Sequence, residues 1–576
     1  MSAKELLADT DPPILLLYAH HAFRQLDDRE KLYAHYMSQA AHHGARIIMN
    51  QVSPESEAIF DLIAALANFC GGDWESLAVS AGLGEAALKP FLEYASTFLD
   101  SVGNYRGYGD TKILPRIATR DFEQLCSVSE RTQELFCQLK DAIYGPIPSR
   151  LGFPSDNAMS AFYPDSPSIT ENEIKTVQEA LLGQGMSLQN TRLKKLSGTN
   201  GGAVFEVLVA SVNKTSPEGT TTVLSLPDRV GTIHLVYGDY SVHLKKVCDS
   251  LELAKQHATD GLQREYLEHS ILSFQTGSIE SHKEASIRWV QNSSPTVETI
   301  IGFTESYRDP IGVRCTWETL VGLQDKSQSE AFDRAASRAM RYILRLPWTG
   351  ETGGASQGQP GGFENSEFHR PDFVGLEIFT WSSANMWTGV SGPQYRDVKQ
   401  RYGKKHFTMT NRANAVNPLA KFPFVKSNEV SEYVRLRMIS FNTILAIHEL
   451  FGHGCGKYLS EVEDSVFNFD SKFPPTNPLT GKQVSTWYKP GQNPKSVFGG
   501  IYPSYNECFA ESVGLYLMSE EDLLIDLGII GPHTDVKTAD LIYNAYLLIV
   551  NMGIEGLLTF DPESNKWNQA HARVKA

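Results

Sequence analysis

The sequence predicts an α+β fold with two lobes around a cleft. The chain has 576 residues, which is more than one compact hydrophobic core usually accommodates. Patterns with helical periodicity occupy the first 150 residues and most of the second half, and short β-rich runs lie between them. We therefore expect two domains or two lobes, with a mixed core wrapped in helices.

Capping signals predict where the first helices begin. Asp27 and Glu30 have the spacing of a capping box, ahead of an amphipathic run that continues to about Asn50. Ser53 and Pro54 suit the N-cap and the first position of a second helix. The glycine- and tyrosine-rich segment from Gly103 to Asp110 is more typical of a plain turn than of a binding surface.

The middle of the chain changes character. Thr170 and Glu173 indicate another helix start. The predicted strands cover Val204 to Ser211, Thr221 to Leu226, Thr232 to Tyr237 and Val374 to Trp381. The predicted later helices cover Ser241 to Val290, Ser327 to Leu346, Val430 to His453, Tyr505 to Leu517 and Asp535 to Met552. Thr349 to Gly362 reads as a linker. Its scattered glycines do not lead from a strand into the helix of a phosphate loop, so a phosphate loop is rejected.

A histidine pair at the end of the helix that begins at Val430 indicates a metal site. His448 and His453 bracket Glu449, and two imidazoles with an adjacent carboxylate are what a catalytic zinc site needs. A spacing of five places the rings about 140° apart on an ordinary helix. Both rings can reach one metal only through an extra residue such as a π-bulge, whose strain Gly452 would ease.

Two histidines alone more often only satisfy hydrogen bonds, but a second segment favours the metal. Glu507 and Glu511 are four residues apart on one face of a predicted helix. Glu507 can be the third protein ligand. Glu511 can accept the free ring N–H of a ligating histidine and fix its tautomer.

Bulk composition excludes several classes of protein. The net charge of -15 argues against nucleic acid or an anionic membrane as partner and favours cationic or amine-bearing ligands. No apolar run is long enough to span a membrane, and the N-terminus lacks a secretory signal. The seven dispersed cysteines read as reduced thiols, so we expect a cytoplasmic protein.

The sequence resembles the dipeptidyl peptidase III family of zinc exopeptidases. The HELLGH motif of that family matches His448 to His453, and its EECRAE motif matches Asn506 to Glu511. Further matches follow in order along nearly the whole chain: Gly103 to Tyr105, Gly109 to Lys112, Tyr237 to Tyr240, Glu305 to Pro310, Gly454 to Lys457, Phe467 to Asp470, Ser512 to Leu517 and Gln569 to His571. One motif arises readily by chance, whereas this ordered set does not.

The resemblance implies a fold, an activity and a set of site residues. It implies a mostly helical zinc-bearing lobe, a mixed lobe built on a small β-barrel, and one Zn²⁺ per chain. The implied domains are a mixed lower lobe (1–325), a helical segment of the upper lobe (326–372), a substrate strand that returns to the lower lobe (373–425) and the helical zinc-binding upper lobe (426–576).

The family's site residues carry over position by position. The implied zinc ligands are His448, His453 and Glu507, with Glu511 behind them and Glu449 as the general base. Tyr307 and His571 fall where the family stabilises the oxyanion. The implied substrate-binding residues are Tyr108, Glu305, Glu318, Trp387, Gly389, Ser391 and Gln394, among which Glu305 holds the substrate's N-terminal ammonium.

The chain departs from the family pattern where substrate binds. Asn506 stands at a position where the family has Glu, and Lys399 replaces an arginine. Trp387 replaces a proline, and Ser391 and Gln394 replace asparagines. We expect the indole of Trp387 either to shorten the cleft or to build a new apolar pocket. The family also continues well beyond Ala576. We therefore expect the apolar surface left here to be covered by rearrangement or by a partner chain, unless the sequence is incomplete.

The sequence leaves three functions open. The first is a zinc-dependent dipeptidyl peptidase, in which Glu449 takes a proton from a metal-activated water and dipeptides leave the N-terminus of short peptides. The second is the same zinc fold repurposed for a non-peptide small molecule, motivated by Trp387, Ser391 and Gln394. The third is a binding protein that keeps the metal but has weakened catalysis.

Overall fold

The computed structural model has mixed helix and sheet and describes residues 4–197, 203–215, 223–226, 231–349, 362–365, 368, 372–415, 421–490, 492, 494–498, 501–557, 560–561 and 566–567. The chain divides into two compact units. Unit 1 comprises Met1–Leu323, Glu377–Trp387 and Pro393–Tyr402. Unit 2 comprises Gln324–Leu376, Thr388–Gly392 and Gly403–Ala576. The four-part domain division expected from the resemblance stays a prediction.

The helices alternate with loops throughout both units. In chain order they are α1 (His20–Gln25), α2 (Asp28–Val52), α3 (Ser56–Cys70), α4 (Trp74–Ser80), α5 (Glu85–Ser101), α6 (Thr119–Cys126), α7 (Glu130–Tyr144), α8 (Glu171–Leu182), α9 (Ser241–Gln256), α10 (Gly261–Thr276), α11 (Ile279–Gln291), α12 (Lys326–Ser337), α13 (Ala339–Ile343), α14 (Arg396–Tyr402), α15 (Thr410–Ala413), α16 (Val430–Ile447), α17 (Pro494–Phe498), α18 (Tyr502–Leu517), α19 (Glu521–Asp526) and α20 (Thr538–Gly556).

The strands are short. They are β1 (Arg150–Leu151), β2 (Ala158–Met159), β3 (Thr191–Leu196), β4 (Ala203–Ala210), β5 (Val223–Ser225), β6 (Gly231–Asp239), β7 (Val297–Glu305), β8 (Thr316–Gln324), β9 (Asp372–Ser382), β10 (Gly389–Gly392), β11 (Lys405–Met409), β12 (Glu461–Glu463), β13 (Val466–Phe467), β14 (Phe560–Asp561) and β15 (Lys566–Trp567).

Two predicted helix starts are confirmed and one is wrong. Asp27 and Glu30 form the capping box of α2, and Thr170 and Glu173 form that of α8. The predicted start at Ser53 and Pro54 is wrong, because Ser53 is the C-cap of α2 and α3 begins only at Ser56. The Ser53 carbonyl accepts the Ser56 backbone N–H at 3.1 Å, so Ser53 and Pro54 belong to the turn between the helices.

Unit 1 contains a helical core and a sheet core. Helices α3 and α5–α7 pack around an aromatic cluster that includes Phe91, Phe122 and Phe136. The other core lies on a four-stranded sheet of order β3-β4-β6-β5, in which β4 and β6 are parallel and the edge pairs antiparallel. Phe205 of that sheet and Ile174 of α8 are fully buried. The closed small barrel implied by the resemblance stays a prediction.

Unit 2 forms its core around the end of α16. Helices α16, α18 and α20 contribute Ile447, Leu517 and Leu541 to one buried cluster. Leu450 and Phe451, which lie between the two histidines, are fully buried in the same cluster. Their burial fixes the segment that carries His448 and His453, because a close-packed core holds its side chains in single rotamers.

Strands of unit 2 run beside the segment that carries His448 and His453. β11 pairs with β10 in antiparallel and with the first part of β9 in parallel register. In the described part of the chain, no helix is long and apolar enough to cross a membrane. All seven cysteines are free thiols.

Candidate metal centre and substrate site

The helix changes pitch where the two histidines lie. Helix α16 ends at Ile447, and His448–Gly452 form a π-helical turn. The His453 backbone N–H donates to the His448 carbonyl at 3.0 Å, five residues back. The two Nε2 atoms are consequently 3.1 Å apart. The π-bulge predicted from the five-residue spacing is confirmed.

Gly452 allows this turn to contact helix α18. A Cβ atom at Gly452 would lie 2.6 Å from the Cα and 2.7 Å from the carbonyl oxygen of Ala510. Any side chain there would push the two backbones apart. Gly452 is also not one of the described glycines whose φ is positive, so its backbone is not in the left-handed region. The glycine therefore serves close packing of the two segments, which is a different reason from the backbone strain expected from the sequence.

The two segments bring three ligand atoms together. Oε2 of Glu507 lies 3.3 Å from Nε2 of His448 and 3.7 Å from Nε2 of His453. A tetrahedral ion with metal–nitrogen distances of about 2.05 Å separates its ligands by about 3.3 Å. Two imidazole nitrogens and one carboxylate oxygen also match the donor set of catalytic divalent-metal sites. These residues therefore fit a metal ion.

A second group behind each histidine holds its ring. Nδ1 of His448 donates to Oε2 of Glu511 at 3.0 Å, which leaves the Nε2 lone pair directed at Glu507 and His453. Nδ1 of His453 lies 3.3 Å from the side-chain amide of Asn506. Position 506, at which the sequence departs from the family pattern, thus still contacts the ring of a predicted ligand, but through a neutral group.

Carboxylates dominate the electrostatics of the centre. Burial alone would lower the pKa of His448, but its hydrogen bonds with Glu507 and Glu511 and the charge of Glu449 outweigh burial and raise that pKa to about 10. The donor set is therefore a strong cation site, at which a proton and a divalent metal compete.

Glu449 lies beside the donor set with one unexpected partner. A carboxylate oxygen of Glu449 lies within 4.8 Å of the ring nitrogens of His448 and His453. Its Oε2 accepts a hydrogen bond from Nδ1 of His406 on β11 at 3.1 Å. Burial raises the pKa of Glu449, but this hydrogen bond and the nearby histidine charges oppose burial and lower the pKa to about 2. Glu449 is therefore ionised near neutral pH and able to accept a proton.

Sequence reasoning missed His406. Burial lowers the pKa of His406 to about 4, although the hydrogen bond with Glu449 opposes this shift. His406 lies 43 positions before Glu449 in the sequence. A lone histidine in a strand has no spacing that links it to a distant helix, so only the pairing of β11 beside the metal segment reveals the contact.

The predicted substrate strand β10 lies next to Glu449. Ser391 pairs with His406, and Gly389 pairs with Thr408. A Cβ atom at Gly389 would lie 3.7 Å from Oε1 of Glu449, so the glycine backbone faces the carboxylate. Of the predicted substrate-binding residues, Gly389 and Ser391 are the two that unit 2 contains.

The other predicted substrate-binding residues lie in unit 1. Nε2 of Gln394 donates to Oε1 of Glu305 at 2.8 Å. Burial, followed by the charge of Glu318, raises the pKa of Glu305, while Gln394 and Lys399 oppose the shift. Burial likewise raises the pKa of Glu318. Unit 1 therefore contains a pair of interacting carboxyl groups, which is a site suited to a cation.

The carboxyl pair is held on two sides. Oε1 of Glu318 accepts the indole N–H of Trp381 at 2.9 Å, and Oε2 accepts the Thr304 hydroxyl at 3.1 Å. Two residues beyond Glu305, the ring of Tyr307 is 71% exposed and lies 6.3 Å from the ring of Trp387. The indole that replaces a proline thus contributes to an aromatic surface.

Another predicted site residue of unit 1 lies in the glycine- and tyrosine-rich loop from Gly103 to Asp110. Tyr108 is 51% exposed in its loop. The neighbouring Gly107 packs so closely on Ala384 that a Cβ there would lie 2.0 Å from the Ala384 carbonyl oxygen. The loop is therefore pinned to the segment that precedes Trp387. His571, and the motif around it, lie outside the described residues.

The chain is similar to known peptidases over nearly its whole length. The model of peptidase family M49 matches residues 135–575. Dipeptidyl peptidase 3 of Rattus norvegicus and that of Homo sapiens are each 33% identical over 593 residues, covering 100% of this chain and 78% of theirs. The enzyme of the same name from Dictyostelium discoideum is 33% identical over 580 residues, with 99% and 80% covered.

Solved structures with the same fold point the same way. Dipeptidyl peptidase III from Caldithrix abyssi matches with a TM-score of 0.56 at 16% identity, covering 98% of this chain and 81% of that one. Dipeptidyl-peptidase III from Corallococcus sp. strain EGB matches with a TM-score of 0.55 at 14% identity, covering 98% and 80%. The family model matches most of this chain, and the relatives are one third identical to it over its full length. The chain therefore belongs to peptidase family M49, the family of dipeptidyl peptidase III.

Proposed function

We propose that this protein is a zinc-dependent dipeptidyl peptidase that releases dipeptides from the N-terminus of short peptides. The observation that carries the proposal is the convergence of His448, His453 and Glu507, whose ligand atoms lie 3.1 to 3.7 Å apart beside Glu449. Membership of the peptidase family supplies the reaction class, and the names of the relatives supply dipeptide release. The donor set of two histidines and one glutamate favours zinc over other divalent ions.

His448, His453 and Glu507 would hold the zinc ion. When bound, zinc supplies Lewis acidity that polarises water and the scissile carbonyl. Glu511 keeps the His448 ring in the tautomer that presents Nε2. Asn506 lies at Nδ1 of His453 without a charge. Its amide oxygen, and not its amide nitrogen, would accept the Nδ1 hydrogen when Nε2 binds zinc.

Glu449 would act as the general base. Its low pKa keeps it ionised, so it can take a proton from the attacking water. As water oxygen bonds to the carbonyl carbon, the carbonyl becomes an oxyanion. The C–N bond then breaks and the proton passes from Glu449 to the leaving amine. The resemblance assigns oxyanion stabilisation to Tyr307 and His571.

Glu305 would bind the substrate's free N-terminal ammonium. A half-buried carboxylate favours a cationic partner, so a blocked or internal peptide bond would bind less well. Gln394, which donates to Glu305 at 2.8 Å, would orient this carboxylate in place of the asparagine usual in the family. Glu318 would share the same cationic subsite, and Trp387, Gly389, Ser391 and Tyr108 would contact the peptide. Their roles rest on the resemblance.

Substitution of the base tests the proposal. Glu449→Ala should abolish hydrolysis of dipeptidyl arylamides while the protein still binds one zinc per chain, since Glu449 is not a ligand. Glu463→Ala, an exposed glutamate of β12, is the matched control and should leave the rate unchanged. Undiminished hydrolysis in Glu449→Ala would contradict the proposal.

The other two functions predict different results in the same assay. A fold repurposed for a small molecule would bind zinc and change a metabolite while leaving all peptides intact. A binding protein would bind zinc and a peptide without hydrolysis. The two-lobed cleft, the closed small barrel, the cytoplasmic location and the covering partner chain stay predictions from the sequence.

A further inference from the structure

His406 is held rigidly at the proposed base. It lies on strand β11, between β10 and β9, where it pairs with Ser391 on one side and with Phe373 on the other. Its side chain is buried, and the residue is only 1% exposed. Nδ1 carries the hydrogen in this contact, because an ionised carboxylate can only accept. The imidazole therefore donates to Oε2 of Glu449 at 3.1 Å from a fixed position.

A comparison with another buried histidine separates a structural role from this one. His282 uses both ring nitrogens, at 2.8 Å from the Tyr395 hydroxyl and 2.9 Å from the Ile301 carbonyl. Such full satisfaction is what buried polar side chains normally achieve. Nε2 of His406, in contrast, has no hydrogen-bond partner among the described residues. Glu449 is therefore the contact that accounts for a histidine at this buried position.

The contact also distinguishes the two oxygens of Glu449. Oε2 is occupied by His406, whereas Oε1 faces the backbone of Gly389, where a Cβ would lie 3.7 Å away. Held in this way, the carboxylate presents Oε1 towards β10 and cannot rotate freely. A base fixed in one orientation loses less entropy in proton transfer than a mobile one.

We propose that His406 is the positioning residue of Glu449, which it orients through its Nδ1–H so that Oε1 is the oxygen that accepts the proton from water. The inference rests on the proposed peptidase function for its kinetic consequence, and on the structure of unit 2 for the orientation itself.

Three variants test the kinetic consequence. His406→Leu removes the donor and should lower kcat for dipeptidyl arylamides about 10- to 100-fold, with KM within about two-fold. His406→Asn keeps an N–H donor and should recover kcat to within about five-fold of wild type. Phe407→Leu, the neighbour on the opposite face of β11, controls for disturbance of the strand and should keep the wild-type kcat. All variants should bind one zinc per chain.

A crystal structure of each zinc-loaded variant gives a readout that is independent of activity. Glu449 should leave its wild-type orientation in His406→Leu and keep it in His406→Asn. His406→Met replaces the leucine variant if that protein does not fold. An unmoved Glu449 in the apolar variant, or equal loss of kcat in the apolar and asparagine variants, would overturn the proposal. Absence of any peptide hydrolysis by wild type would overturn the peptidase function instead, and the crystal structures would still decide the orientation.

Discussion

Asn506 sets the charge behind one of the two proposed histidine ligands. Its amide contacts Nδ1 of His453 at 3.3 Å, whereas Glu511 contacts Nδ1 of His448 at 3.0 Å with a full negative charge. An anionic partner makes a ligating imidazole more basic than a neutral partner does. The two histidines of this centre are therefore unequally supported.

Restoring a carboxylate at Asn506 should strengthen metal binding. We expect Asn506→Glu to slow the loss of zinc to a chelator about 10-fold, since outer partners of this kind change affinity by about 10- to 100-fold. Ser512→Glu adds the same charge at an exposed position of helix α18 and serves as control. Equal metal loss from Asn506→Glu and wild type would contradict the assigned contact.

Glu305 should give peptide binding a characteristic pH dependence. Burial and Glu318 raise its pKa, so the carboxyl group is neutral at low pH and becomes anionic only as pH rises through the raised value. KM for a peptide with a free N-terminus should therefore fall as pH rises, until the peptide amine loses its own proton at about pH 8.

The substitution Glu305→Gln isolates this effect. It should raise KM about 10- to 100-fold, flatten the pH dependence of KM and leave kcat nearly unchanged, because a charge-assisted hydrogen bond is lost. Glu284→Gln, which removes a half-exposed carboxylate paired with Arg288, is the control. A KM that keeps its pH dependence in Glu305→Gln would assign the ammonium to another group.

At this scale the sequence predicted the residues whose spacing carries information. The five-residue separation of His448 and His453 is visible in one helix, and the four-residue separation of Glu507 and Glu511 in another. His406 was not predictable, because its contact arises from strand pairing. The packing of Gly452 on Ala510 was also invisible, since a close backbone approach leaves no local pattern.

The π-helical turn and helix α18 form one structural element of the site. Gly452 packs directly on the α18 backbone, so the distance between His453 and Glu507 depends on that contact. Gly514 of the same helix contacts the turn less closely. A Cβ atom at Gly514 would lie 3.7 Å from the Cβ of His448.

A methyl group should distinguish these two glycines. Gly452→Ala forces the turn and α18 apart, so it should lower the free energy of unfolding by about 1 to 3 kcal/mol and weaken zinc binding. Gly514→Ala meets only ordinary van der Waals contacts and should be neutral or stabilising, since Ala favours helix more than Gly does. Denaturant unfolding and zinc titration check both. Equal stability of the two variants would refute the packing argument.

Elements with local signals were the predictable part of the fold. Capping boxes located the starts of α2 and α8, because side chains of the same segment satisfy the free backbone N–H groups. The start of α3 was misplaced, because Ser53 and Pro54 also suit a turn. The order and direction of the strands in both units depend on contacts distant in sequence, which periodicity does not report.

The charge of the whole molecule bears on its substrates. A net charge of -15 attracts cationic peptides over distances comparable with the Debye length. We expect kcat/KM for a dipeptidyl arylamide with two arginines to fall several-fold as salt rises from about 0.02 to 0.2 M. The value for a dialanyl arylamide should change much less. Stopped-flow or initial-rate kinetics at fixed pH would check the difference, and equal salt dependence would exclude long-range steering.

The most direct test of the account is product analysis by mass spectrometry during zinc titration of the metal-stripped protein. Peptides of two to eight residues are incubated with increasing zinc. The proposed function predicts that intact dipeptides leave the N-terminus of the longer peptides in sequence. It also predicts that the rate rises in proportion to zinc and reaches its plateau at one zinc per chain. Products other than N-terminal dipeptides, or a rate that does not depend on zinc, would contradict it.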